Sequence, residues 1–182
     1  MKKFPLSKAF QWLEPGPVVL LTTVWKGRVN VMTMSWHMMM EFTPALIGCV
    51  ISPADHSFGI LRKTKECVIA IPTVDIVTKV VDIGNCSGED VDKFEKFELT
   101  ARRGEKVAAP LIEECAANLE CRVVDTRMVN KYSMFVLEVV EAWGDAGEKK
   151  RGLIHANGDG TFAIDGKTMD LRERMVKWKD II

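Results

Sequence analysis

A mainly β chain with interspersed helices, closed as one β-barrel decorated by helices, is the architecture this sequence predicts. Three observations carry it. Residues 18–25 and 29–36 are β-rich runs on either side of Lys26-Gly27-Arg28, the composition of a hairpin. Residues 117–125 and 133–143 are two further long β-rich stretches. The helical segments between strands are few and do not form a run of βαβ units.

Each element has its own signal. Residues 6–13 carry helical spacing, with Ser7 as a cap, and Pro15-Gly16-Pro17 stops them. In the run 29–36, alternation puts Asn30, Met32, Met34 and Trp36 on one face. Val31, Thr33, Ser35 and His37 fall on the other. Residues 45–51 form a third strand that Ser52-Pro53 ends, and Asp55-His56-Ser57 opens a helix to about Thr64. Residues 67–71 read as a fourth strand and 75–83 as a helix. A Gly/Ser loop, 84–88, leads into a short amphipathic helix over 90–96. Asn157-Gly158-Asp159-Gly160 is a turn before a short strand over 161–164.

Composition narrows the class. The chain has 182 residues, 47% apolar and 27% charged, which favours one globular domain over 1–182. A chain of this length buries about 70% of its extended surface, so no staples are required. Twenty-five Lys and Arg balance twenty-five Asp and Glu, and no long basic run exists to grip nucleic acid. No apolar run reaches the ~18 residues of a membrane helix. Met1-Lys2-Lys3 is not followed by an uninterrupted apolar stretch, so a cytoplasmic protein is expected. The five cysteines include no C-x-x-C pair and read as free thiols, with Cys49 and Cys67 in the core and Cys86 in a polar loop.

Most familiar chemistries lack their motifs. His37, His56 and His155 stand far apart, no cysteine pair has zinc spacing, and no metal site is expected. There is no G-x-S-x-G, no Walker A sequence and no G-x-G-x-x-G after a strand. Two places suit an anion. One is the junction running from Ser52 to Ser57, where N–H groups at a helix start meet hydroxyls. The other is the 84–88 loop followed by Lys93. Ser57 is equally an ordinary helix cap, and Lys93 equally a solvated helix position. Residues 30–36 set an amide, two hydroxyls and an indole beside Met38, Met39 and Met40. That surface suits a flat heteroaromatic ligand, and equally a half-buried strand over a Met-rich core.

Taken in order, the motifs resemble one family. Pro17-Val18-Val19-Leu20-Leu21-Thr22-Thr23 precedes Val29-Asn30-Val31-Met32-Thr33-Met34-Ser35-Trp36. Ile51-Ser52-Pro53 with His56-Ser57 and Ser87-Gly88-Glu89-Asp90-Val91-Asp92-Lys93-Phe94 follow. Ala109-Pro110-Leu111-Ile112-Glu113-Glu114-Cys115, Asn118-Leu119-Glu120-Cys121 and Asp159-Gly160-Thr161-Phe162 continue the series nearly to the end of the chain. This arrangement resembles the flavin reductase-like family of FMN-binding split β-barrels, in particular its flavoredoxin-type members.

The resemblance implies a homodimer with one FMN per subunit near the dimer interface. It implies that Asn30, Val31, Met32 and Thr33 run along the isoalloxazine, with Ser35 and Trp36 beside it. Ser57, with Ser52 as its neighbour, is implied near the phosphate or ribityl chain. Lys93 is implied at the phosphate or at the electron-rich end of the reduced ring. Phe162 matches an aromatic close to the cofactor, supplied across the dimer. Relatives of this family commonly carry Asp-His where this chain has Lys131-Tyr132; Tyr132 keeps a hydroxyl for a hydrogen bond in place of the imidazole. The implied activity is that of an FMN-dependent oxidoreductase fed by NAD(P)H or by a redox protein partner. No residue is assigned as a catalytic acid or base. A flavin- or haem-binding module without turnover is the alternative.

Overall fold

The computed structural model describes residues 16–144, 152–171 and 174; the helix expected over 6–13 lies outside them. The chain opens with the hairpin β1 (Val19–Trp25) and β2 (Arg28–Met34). Trp25 pairs with Arg28, so Lys26 and Gly27 alone make the turn. Both have positive φ, 50° and 78°, the backbone a two-residue hairpin with right-handed twist requires. Next come β3 (His37–Glu41), β4 (Leu46–Val50), α1 (His56–Thr64) and β5 (Glu66–Ile71). A 3₁₀ turn, Val74–Ile76, runs into α2 (Val77–Gly84), and α3 (Lys93–Lys96) follows. Two short strands, β6 (Ala101–Arg102) and β7 (Leu111–Ile112), pair with each other. They precede β8 (Ala117–Asp125), α4 (Val129–Tyr132) and β9 (Met134–Gly144). The hairpin β10 (Ile154–Ala156) and β11 (Phe162–Ile164) completes the described elements.

Seven antiparallel strands form one sheet in the order β2-β1-β5-β8-β9-β4-β3. Its two outer strands, β2 and β3, are consecutive in the chain. Ser35 and Trp36 join them, and no ladder pairs them. The sheet therefore curls back on itself and stays split along one seam. The reading of 29–36 as a continuous strand is corrected here: pairing with β1 stops at Met34, and β3 begins after a two-residue break.

Both faces of β1 are covered, which is why 18–21 is apolar without alternation. Val19 and Leu21 join Met34, Ile47, Cys49, Phe135 and Leu137 inside the barrel. Val18 and Leu20 face outward against Val31, Val80, Ile83, Phe94 and Ile154, the layer beneath α2 and α3. Thr33 is tied to the same layer by its hydroxyl, which donates to the Val80 carbonyl at 2.5 Å.

Glu120 on β8 is wholly buried, yet its carboxylate is fully engaged. Oε1 accepts from the Glu105 amide at 2.9 Å and from Trp143 Nε1 at 2.7 Å. Oε2 accepts from the amides of Lys106 at 2.7 Å and Val107 at 2.8 Å. Burial pushes this carboxyl upward, but the four donors outweigh it and hold it below the ordinary glutamate range. A Cβ at Gly104 would lie 2.6 Å from the carboxylate, so the loop closes on the charge because residue 104 has no side chain.

All five cysteines are free thiols. Cys67 and Cys121 face each other on β5 and β8, with Cys49 in the same cluster. Burial raises Cys49 to about 12, and Cys115 likewise to about 12. The Cys121 neighbour and burial together hold Cys67 well above the usual thiol range.

Candidate functional site

The site grows from the exit of the first hairpin. Asn30 lies on the barrel-facing side of β2 and is 3% exposed. Its Nδ2 donates to Ser57 Oγ at 2.8 Å. Its Oδ1 is buried with no hydrogen-bond partner, as is the hydroxyl of Thr23, the residue opposite it on β1. Buried polar atoms of this kind are rare, and a ligand is one recognised reason for them. Gly88 presses onto the same amide: a Cβ there would stand 1.8 Å from Asn30 Oδ1.

Ser57 is buried in the first turn of α1. It does not cap that helix, as its sequence position suggests; Asp55 stands at the N-cap. Upstream, the Ser52 amide donates to Asp55 Oδ2 at 3.1 Å and the Asp55 amide returns to the Ser52 carbonyl at 2.9 Å. Ser52 Oγ accepts from the Ala54 amide at 3.2 Å.

Lys93 does not occupy a solvated helix position. It begins α3, is 4% exposed, and donates to the Ile83 carbonyl at 2.8 Å. No carboxylate pairs with it among the described residues. Burial lowers its pKa, against the opposing influence of Cys86 and Asp55. Cys86 Sγ points at the same Ile83 carbonyl at 3.9 Å. The 84–88 loop and the start of α1 therefore meet at Asn30, and α3 packs against the same strand, β2.

The remaining candidates sit differently. The Val31 side chain faces the helix layer, which leaves only its backbone for the other side of β2. Met32 is half-buried against the barrel interior, and Thr33 is bound to α2. Ser35 is half-buried at the break, and Trp36 is 56% exposed beyond it. The Trp36 carbonyl accepts from the Val50 amide at 3.0 Å, and the Ile51 amide donates to the Ser133 carbonyl at 3.1 Å. Those two bonds bring Trp36, Ser52 and Tyr132 to one end of β4, with Tyr132 exposed. Phe162 is exposed on the β10–β11 hairpin, where it pairs with Ala156. Thr23 and Gly88 were not singled out as site residues from sequence. Their pairing with Asn30 across β1 and across the loop is a tertiary fact without a local pattern.

The split barrel thus carries a buried amide on β2, a buried hydroxyl on α1 and a buried ammonium on α3. The model of the flavin reductase like domain matches residues 13–162, and the chain belongs to that family. Flavoredoxin from Methanosarcina acetivorans superposes with a TM-score of 0.82 at 25% identity, over 100% of both chains. Flavoredoxin of Desulfovibrio vulgaris gives a TM-score of 0.81 at 22% identity, covering 93% of this chain and 96% of that one. Among curated proteins, the uncharacterized protein YddH of Escherichia coli is 31% identical over 176 residues, 89% of this chain and 93% of its own. An uncharacterized protein of Archaeoglobus fulgidus is 37% identical over 118 residues, 64% of this chain and 67% of its own.

Proposed function

We propose that the chain binds FMN at the Asn30–Ser57–Lys93 cluster and works as an oxidoreductase of the flavin reductase or flavoredoxin type. The observation that carries this reading is Lys93, a buried ammonium with no carboxylate at ion-pair distance among the described residues. Buried charges are ordinarily paired, so an anionic ligand group suits this position. The unpartnered Oδ1 of Asn30 supplies an acceptor that a ring N–H would satisfy. Ser57 holds the amide in place through Nδ2. The β2 backbone beside Val31 and Met32, the Ser52 turn and Trp36 complete the binding surface.

FMN, when bound, supplies hydride and electron chemistry at its ring; the protein supplies binding, orientation and electrostatics. Lys93 provides the cation for the phosphate or for charge on the ring. Trp36 and Met32 offer apolar surface to exclude water from the ring face. Tyr132 stands where relatives carry histidine and offers a hydroxyl for hydrogen bonding. NAD(P)H or a redox protein is the proposed electron donor.

The exposed side chains of Trp36, Met38, Met39, Met40 and Phe42 follow one another along and beside β3, an outer strand of the sheet. An apolar, unpaired edge of this kind is a liability in a lone subunit. We propose that a second copy covers it, which would bring Phe162 toward the partner's cofactor.

An anaerobic absorbance spectrum tests the function. Protein saturated with FMN should show a flavin band that NADH, NADPH or a reduced carrier protein bleaches. A band that none of them bleaches would leave a flavin-binding module without turnover. Failure to take up FMN at all would overturn the reading.

Two variants test the site. Lys93→Met should weaken FMN by about tenfold or more while riboflavin, which lacks the phosphate, loses much less. Equal losses, read by fluorescence quenching, would move Lys93 away from the phosphate. Trp36→Ala should weaken FMN severalfold with the unfolding midpoint in urea unchanged, because the indole is largely exposed. Unchanged affinity would remove Trp36 from the site.

A further inference from the structure

The tip of the first hairpin carries a second surface. Trp25 is 41% exposed. Lys26 Nζ lies 5.9 Å from its ring centroid and Lys63 Nζ 5.5 Å. Arg28 is its cross-strand partner, and Arg62 and Lys65 extend the group at the end of α1. Five cations thus gather from two elements in a chain whose overall charge is zero. Among the described residues, none of them forms an ion pair.

The patch is open. A Cβ built at Gly27 or at Gly59 would meet nothing within 4 Å. A protruding turn and a helix end do not form the concave, enclosing site that a dinucleotide needs. They do form a rim-accessible face with tryptophan and arginine, the residue types that anchor protein interfaces. The face is also joined to the candidate site. Arg28 Nη2 donates to the Glu89 carbonyl at 3.2 Å, and the neighbouring Gly88 is the residue pressed onto Asn30.

We infer that Trp25, Lys26, Arg28, Arg62, Lys63 and Lys65 form the docking face for an acidic electron-carrier protein. This rests on the redox reading above, since it names the partner of that same site. Complementary charge would steer the encounter, and Trp25 would be the desolvated anchor at its centre.

The test is titration calorimetry of the full, FMN-loaded chain with an oxidised plant-type [2Fe–2S] ferredoxin, a strongly acidic carrier, at several salt concentrations. Wild-type protein should bind, with affinity falling steeply as salt rises. Lys26→Glu/Lys63→Glu should weaken binding by at least about tenfold and flatten the salt dependence. Arg102→Glu/Arg103→Glu makes the same charge change elsewhere and should leave binding close to wild type. FMN affinity and circular dichroism, measured on each preparation, should be unchanged. No ferredoxin binding by wild-type protein, binding indifferent to salt, or equal losses in the two double variants would each overturn the proposal. So would tighter, salt-sensitive binding of a single-stranded oligonucleotide or of NADPH at this patch. Ferredoxin binding by a chain that takes up no FMN would support the docking face and sink the flavin reading instead.

Discussion

Gly88→Ala should cost the protein its flavin site while the barrel stays folded. The added methyl would stand 1.8 Å from Asn30 Oδ1 and 2.6 Å from its Cγ. Such contacts are relieved cheaply only at the end of a long, free side chain. Asn30 is short, buried, and held by Ser57 at 2.8 Å. Either its amide rotates and gives up that bond, or the 84–88 loop lifts and carries Lys93 with it. Losing the bond and leaving Ser57 unsatisfied is worth about 2 kcal/mol. Carried into binding, that is about a 30-fold loss of FMN affinity. Because the clash is specific to one side chain, Asn30→Ala should relieve it. The double variant should unfold in urea closer to Asn30→Ala than the sum of the single effects predicts, by at least about 0.5 kcal/mol. Wild-type affinity in Gly88→Ala, or strict additivity, would show that the loop accommodates the methyl.

Glu120→Ala should be the most destabilising single substitution on β8. Removal of the carboxylate strands the buried Val107 N–H, the part-buried N–H groups of Glu105 and Lys106, and the Trp143 indole N–H. Breaking a buried charged network by deleting its hub typically costs about 3–5 kcal/mol. Glu120→Gln should do nearly as badly, since both carboxylate oxygens accept two donors each and an amide NH₂ would face two of them. The same group governs acid stability. Its folded pKa is held below the ordinary value of 4.5, so its contribution is fully present above that value. Below it, the unfolded chain takes up the proton first, and stability falls as pH drops through the lower folded value. Urea midpoints measured from neutral pH down to about pH 3 should therefore fall more steeply for wild type than for Glu120→Gln. Parallel pH profiles would show that Glu120 is not the titrating group.

The sequence predicted the long elements because their signals are local. The β1–β2 turn, the start of β4's exit at Ser52-Pro53 and the extents of β8 and β9 are written in turn chemistry and β-rich composition. β3 was not anticipated, because the Met38-Met39-Met40 run has no alternation to read. Met38 and Met40 lie over Gly48 of β4, Met39 points the other way, and all three are substantially exposed. β6, β7 and β10 span only two or three residues, too few for any period to register. At the site, the residue types at 30, 57 and 93 were legible, but their burial was not. A lysine at the start of a four-residue helix looks solvated until Ile83, ten residues earlier, is seen accepting from it. Glu120 was equally opaque, since its donors come from a loop 13–15 residues upstream and a tryptophan 23 residues downstream.

The five thiols divide into two kinds, and the division makes the protein easy to instrument. Cys49, Cys67 and Cys115 are held protonated far above neutral pH, and Cys121 is sealed in the barrel. Cys86 and Cys115 are both partly open, but burial holds the Cys115 thiol up at about 12, and Cys86 shares a carbonyl with Lys93. A nitroxide or fluorophore aimed at cysteine thus finds Cys86 as an open address on this molecule. It is beside the ammonium that the ligand would neutralise, so the wild-type chain can report occupancy without an engineered label site.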